Sequence, residues 1–161
     1  MKSNETPKWF LDALAQKPEI KTVKIKGSKI SYNCWGEKNK PGLIFVHGGM
    51  AHADWWNFIT PYFLKTHRVI AMNLGGMGDS EWRKEYSTET WGLEIEGVCK
   101  KEKLKKPIII GHSLGGMCGV YAASIMKKNL YGLVIVDTAI LPPSDKPPKF
   151  DFKIRANKIY K

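Results

Sequence analysis

Four short runs of uninterrupted apolar residues, Leu43 to Val46, Val69 to Met72, Ile108 to Ile110 and Leu133 to Val136, constrain this chain more than any other feature. They lack the period-two alternation of a half-exposed strand and are too short for buried helices, so they fit strands covered on both faces, as in parallel sheets. Gly, Pro, Asn, His or Asp bounds each run. Between them lie segments of helical length at about 54 to 65, 88 to 104 and 114 to 128, the second opening on Ser87 or Thr88 as N-cap. Strand and helix in alternation predict a doubly wound, mostly parallel α/β sheet with right-handed crossovers.

The ends of the chain read differently. Trp9, Phe10, Leu11 and Leu14 fall at near-helical spacing and predict a short helix over residues 7 to 17. Val23 and Ile25, then Ile30, Tyr32 and Cys34, alternate with polar residues on either side of Gly27-Ser28. That pattern predicts a two-residue β-hairpin with one buried face, added to the sheet as an antiparallel edge. After Leu141 come Pro142, Pro143, Pro147 and Pro148 among many charges. Residues 1 to 141 are therefore read as a partial α/β core, and residues 142 to 161 as a flexible proline-rich linker.

Composition narrows the class. A chain of 161 residues with 43% hydrophobic content suits a single domain with a sizeable core. No stretch approaches the ~20 apolar residues of a membrane span, and Met1-Lys2-Ser3-Asn4-Glu5 lacks the apolar centre of a signal peptide, so a cytoplasmic protein with no membrane partner is expected. Cys34, Cys99 and Cys118 are widely spaced and form no C-x-x-C pair, which suggests neither a disulfide framework nor a metal site. The net charge of +11 raises the question of nucleic acid. However, only Arg68, Arg83 and Arg155 among the 26 basic residues are arginines, and the lysines are scattered, so no nucleic-acid partner is expected.

Gly111-His112-Ser113-Leu114-Gly115-Gly116 lies between the strand at Ile108 to Ile110 and the helix expected from Leu114. A serine lifted on a sharp strand-to-helix turn needs small neighbours two residues away on each side, and Gly111 and Gly115 supply them. The turn presents the hydroxyl above the carboxyl ends of the strands, where ligands bind in open α/β sheets, and the helix N-terminus adds backbone donors and a favourable dipole. A plainer reading is a glycine-rich turn with Ser113 as helix cap. His47-Gly48-Gly49-Met50 follows the strand at Leu43 to Val46, at the place where a second backbone N–H is needed beside the one after the serine. Leu114 and Gly49, or Met50, are thus candidate oxyanion donors. Ser113 occupies the second glycine position of a dinucleotide loop and no Gly-Lys-Ser/Thr supplies a P-loop, so no cofactor is implied.

From about residue 20 to 143 these features resemble the α/β-hydrolase superfamily. Gly76-Met77-Gly78-Asp79-Ser80 resembles the family's Asp-Leu-Arg-Gly-x-Gly-x-Ser turn, with Asn73 and Gly75 standing where the family has Asp and Arg, so the ion pair that stiffens that loop is absent from those two positions. The resemblance implies a serine hydrolase acting on a small-molecule ester, lactone or similar carbonyl substrate, with Ser113 as nucleophile and a cap inserted after Leu141. It also implies an acid and then a histidine after the serine. No histidine follows His112, so the chain reads as the front portion of such an enzyme. Asp137 ends the last apolar strand, where some relatives carry the acid; the favoured reading is a structural, turn-starting residue. Of the histidines, His112 is expected to face back into the core, His47 to pack beneath the Gly48-Gly49 loop and His67 to lie at the far end of the sheet; His52, on the loop just after Gly49, is the remaining candidate base, its plainer reading being an exposed loop histidine. Trp55 and Trp56 are read as core or pocket lining. Dehalogenase and epoxide-hydrolase chemistry fits less well, because their nucleophile is an Asp. The alternatives are a non-catalytic binding or interaction protein, self-associating or complemented through the open sheet edge, and a carbon–carbon hydrolase or lyase on the same scaffold.

Overall fold

The computed structural model describes residues 5–139. The proline-rich segment 142 to 161, and with it the expected start of a cap, lies outside the described residues. Six strands, β1 (Glu19–Ile25), β2 (Ser28–Trp35), β3 (Gly42–Val46), β4 (Arg68–Met72), β5 (Ile108–His112) and β6 (Gly132–Val136), form one sheet in the order β1-β2-β4-β3-β5-β6. β2 runs antiparallel to both β1 and β4, whereas β4, β3, β5 and β6 are mutually parallel. Helices α1 (Lys8–Ala15), α2 (Thr88–Lys101) and α3 (Leu114–Met126) complete the α/β architecture.

The uninterrupted apolar runs have a direct physical cause, since alternate residues enter two different cores. Ile44, Val46, Ile70, Met72 and Ile109 pack with Trp91, Ile95 and Val98 of α2 and Cys118 and Ala122 of α3. Leu43, Phe45, Val69 and Ala71 face the opposite way, onto Ala53, Trp56, Ile59 and Phe63. Each large side chain so buried contributes roughly 1.5–3 kcal/mol, so both faces of the central strands favour apolar residues.

Three local expectations are corrected. The hairpin turns on Lys26-Gly27, one residue before the expected Gly27-Ser28; both residues have positive φ, 49° and 84°, as a type I′ turn requires, and Ile25 pairs with Ser28. β2 is buried on both faces instead of one. Its polar side is closed over by the loop after β4, where the Ser31 N–H donates to Ser80 Oγ at 2.9 Å, and by Asp54, which accepts from Asn33 Nδ2 at 2.8 Å. The segment 54 to 65 is not an α-helix but two short 3₁₀ turns, Ala53–Trp56 and Thr60–Phe63. Pro61 explains the break, because it lacks an N–H and its ring would strike the carbonyl of Asn57 in a continuous helix.

The loop after β4 is stiffened by a pair that the sequence pattern did not reveal. Glu94 of α2 is fully buried and accepts from Arg83 Nε at 2.8 Å and from the Gly75 N–H at 2.8 Å. Arg83 also donates to the carbonyls of Lys26 at 2.8 Å and Ile25 at 2.6 Å, tying the loop to the hairpin. A Cβ on Gly75 would lie 2.6 Å from Glu94 Oε1 and 3.2 Å from Arg83 Nε. The glycine that removes one ion pair therefore makes room for another.

Candidate active site

β5 delivers the chain directly into α3, and Ser113 is the hinge between them, with φ 50° and ψ −117°. A serine in this region is strained, at a cost on the order of 1–3 kcal/mol, and persists only where its surroundings fix it. The fixing is close. A Cβ on Gly111 would lie 2.4 Å from the Gly115 carbonyl oxygen, and one on Gly115 would lie 2.4 Å from that of Val46. The Ser113 N–H donates to Val136 O of β6 at 2.9 Å. Its half-buried side chain makes no capping bond to α3, so the plainer reading of Ser113 as a helix cap does not describe it.

The loop after β3 lies against this turn. A Cβ on Gly48 would stand 3.3 Å from Ser113 Cβ, and one on Gly49 would stand 3.8 Å from Leu114 Cδ2. Among the described residues no protein acceptor takes up the N–H of Gly49, Met50 or Leu114. Leu114 is buried, while Met50 is exposed and has φ 63°. Beneath the loop His47 is fully buried; its Nε2 accepts from the Leu74 N–H at 3.1 Å, which puts the ring proton on Nδ1, where it meets Gly48 O at 2.7 Å. Burial pushes this imidazole down to about 4, so it stays neutral and acts as a strut.

His112 departs from expectation. It does not face the core but lies half-buried at the site, its ring 5.8 Å from that of Trp55 and its Nδ1 against Gly48. His112 Nε2 lies 3.9 Å from Asp137 Oδ2, beyond hydrogen-bond reach, and Asp137 is 90% exposed. Asp137 therefore reaches the same rim as Ser113, yet orients no imidazole firmly. His52 is exposed, with Nδ1 3.6 Å from Asp54 Oδ2, and His67 leans on Thr66 at the start of β4, away from the site. All three cysteines are buried, and burial pushes their thiols up, those of Cys34 and Cys99 to about 12, so none is a nucleophile. Among the described residues no group of three or more His, Cys, Asp or Glu side chains converges to hold a metal ion, and no helix is long and apolar enough to cross a membrane.

A cavity of about 330 Å³ lies at the other end of the sheet, lined by Cys99, Lys100, Leu104 and Met126 among others. Its lysines lie in and just after the last turn of α2, where cations complement the helix dipole, and no residue of the Ser113 turn lines it.

A family model described as the alpha/beta hydrolase fold matches residues 41–158. The chain belongs to this α/β-hydrolase family. It is similar to human epoxide hydrolase 4, at 25% identity over 118 residues covering 71% of this chain and 33% of that protein. It is also similar to an esterase of Mycobacterium tuberculosis, at 28% identity over 122 residues covering 74% and 39%. A solved membrane phospholipase A, a bacterial virulence factor, superposes with a TM-score of 0.73 at 25% identity over 83% of this chain and 43% of that one. The chain thus spans about a third to two fifths of the length of these curated relatives. Within this α/β-hydrolase, two features escaped the sequence pattern. Arg83 carried no signal, being one charge in a polar loop. The approach of His112 to Trp55 was in principle legible, because His112 shares its strand face with Ile108 and Ile110, which pack on the layer holding Trp56.

Proposed function

We propose that this α/β-hydrolase chain carries the nucleophile and oxyanion parts of a serine hydrolase acting on an ester, lactone or similar carbonyl substrate. One observation carries the reading: Ser113 is held at φ 50° with its hydroxyl unused, beside the unclaimed N–H groups of Leu114 and Gly49. In this mechanism Ser113 Oγ attacks the substrate carbonyl, and the carbonyl oxygen, as it gains negative charge, accepts from Leu114 and Gly49, with Met50 the neighbouring alternative. The α3 dipole favours the same charge. Losing one such donor typically costs ~10²–10³ in rate. A serine at position 113, where epoxide-hydrolase chemistry requires an aspartate, favours the esterase among the relatives as the better guide.

Activating Ser113 needs a base. Residues 114–161 contain no histidine, and the family order places it there. The reading therefore predicts that residues 1–161 alone turn over esters slowly, since losing the histidine of a related triad costs ~10⁶. The test pairs fluorophosphonate labelling, followed by mass spectrometry, with p-nitrophenyl butyrate hydrolysis. Slow labelling at Ser113 that vanishes in Ser113→Ala is expected. Labelling elsewhere, or none after prolonged exposure, overturns the assignment of the nucleophile.

A second reading, a binding or interaction protein on the same scaffold, is favoured by one observation. β6 pairs only with β5 among the described residues and leaves Val134, Ile135 and Val136 exposed at 49%, 37% and 40%. An open apolar edge strand is a template for another strand, from a second copy or from a complementing chain. Light scattering decides on self-association: a monomer at all concentrations removes the second copy as the partner.

A further inference from the structure

Ser113 is held from both sides by one short stretch of chain. Its N–H donates to Val136 O at 2.9 Å, and its carbonyl oxygen accepts from Thr138 Oγ1 at 2.9 Å. The same carbonyl receives the N–H groups of Gly116 at 2.9 Å and Met117 at 3.3 Å, the first bonds of α3. A Cβ on Gly116 would fall 2.1 Å from Thr138 Oγ1, so the helix carries a glycine where the hydroxyl enters. Between the two clamping residues, Asp137 adopts φ 49°, a left-handed conformation that aspartate tolerates better than most residues. This kink turns the chain so that residues 136 and 138 reach the same serine. Two strained residues, Ser113 and Asp137, thus face each other across β5 and β6, and the bonds between their neighbours hold both in place.

We propose that Thr138 is a positioning residue for the Ser113 nucleophile, its hydroxyl fixing the peptide that links Ser113 to Leu114. That peptide carries both the serine carbonyl and the Leu114 N–H assigned to the oxyanion, so its orientation sets where the oxyanion donor points. An error of about 1 Å in such a group costs on the order of 10²-fold in rate. The shorter of the two contacts made by this hydroxyl is the one to Ser113 O, since the Val136 carbonyl lies farther off at 3.3 Å. Val136, Asp137 and Thr138 then form a bracket around Ser113.

The inference rests on the proposed role of Ser113 for its meaning, but its test does not depend on turnover. Amide hydrogen exchange is followed by NMR in the 161-residue chain, in Thr138→Val and in Thr138→Ser. Loss of one hydrogen bond of ordinary strength corresponds to a change on the order of tenfold. Exchange at Ser113, Gly116 and Met117 should rise about tenfold in Thr138→Val and stay at the wild-type rate in Thr138→Ser, while the β2 amides from Ile30 to Cys34 change in neither. If Thr138→Val does not fold, Thr138→Ala makes the same comparison against Thr138→Ser. Unchanged exchange at the three amides on hydroxyl removal overturns the proposal. So does equal loss in Thr138→Ser, which would assign the effect to the methyl group, and so does a uniform rise across β2, which would make Thr138 merely structural. Fluorophosphonate labelling separates the two claims: unlabelled wild-type protein with the expected exchange pattern removes the nucleophile and leaves the bracket.

Discussion

Replacing Arg83 by Met should expose how much of the site's foundation rests on one buried pair. The substitution keeps most of the side-chain volume but leaves the Glu94 carboxylate, which is fully buried, with only the Gly75 N–H as donor among the bonds described above. Breaking a buried ion pair from one side costs about 3–5 kcal/mol, and the carbonyls of Ile25 and Lys26 lose their donors as well. Set against a total stability of about 5–15 kcal/mol, that is a large fraction, and for a chain of this size it lowers the melting temperature by roughly 6–20 °C. The loss should also depend on pH. Burial holds the Glu94 carboxyl above the usual carboxylate range even though Arg83 and the Gly75 N–H pull it down. A folded pKa raised in this way stabilises the fold below the unfolded value of about 4.5 and loses that contribution as pH rises through the folded value. Without Arg83 the folded value rises further. The deficit of the variant against wild type is therefore largest on the alkaline side and shrinks as acid protonates Glu94. Urea unfolding at pH 8, 7, 6 and 5 measures it. Adding Glu94→Gln to Arg83→Met should recover part of the loss at pH 7, since the amide is neutral and its oxygen still accepts from Gly75. A deficit below about 1 kcal/mol, a deficit constant from pH 8 to 5, or a double variant no better than the single one would refute the reasoning.

Three further outcomes are expected. His47 titrates near 4 in the fold against 6.5 when free, so its stabilisation is complete above pH 6.5 and is lost as pH falls towards 4, by about 3 kcal/mol at most; His47→Gln should flatten that part of a stability-against-pH curve. Gly115→Ala drives a Cβ to 2.4 Å and 2.6 Å from the carbonyl oxygens of Val46 and His47, which cannot yield cheaply, and should cost about 1–3 kcal/mol or more by chemical denaturation; Gly132→Ala meets nothing within 4 Å and should be neutral or slightly stabilising. Ile135→Lys on the open edge should abolish any concentration-dependent association seen by light scattering, because a charged residue on an edge strand opposes pairing.

The parts of this molecule that were legible in its sequence share a property: a local rule and the tertiary context agree. Ile44, Ile70 and Ile109 form strands by propensity and are buried beneath α2 and α3. Gly111 and Gly115 mark the turn because backbone approaches them from outside. Where the context overrode the rule, the pattern misled. Ser31 and Asn33 looked like the wet side of a hairpin, yet distant partners, Ser80 and Asp54, keep them covered. The segment holding Trp55, Trp56 and Phe63 has helical hydrophobicity but contains Pro61, and the proline decided the outcome. Arg83 and Glu94 each look like ordinary surface charges, since nothing local says that Gly75 leaves a space between them. The motif spacing foresaw that the Gly48-Gly49 loop would lie against Ser113 and Leu114, whereas the Thr138 hydroxyl joins strand ends through a bond that no linear spacing encodes.

The kink at Ser113 also bears on the order in which this chain folds. Lys26-Gly27 lets β1 and β2 close on two residues, so that hairpin can form on the microsecond scale from local contacts alone. The Ser113 turn has no such local support. Its strained serine is stabilised by Val136 O from β6 and by a glycine fit against Val46 at the end of β3, both of which arrive through long loop closures. A refolding chain should protect the Val23 and Ile30 amides early and the Ser113 amide last. The strained conformation of Ser113 is thus withheld until the sheet around it is complete.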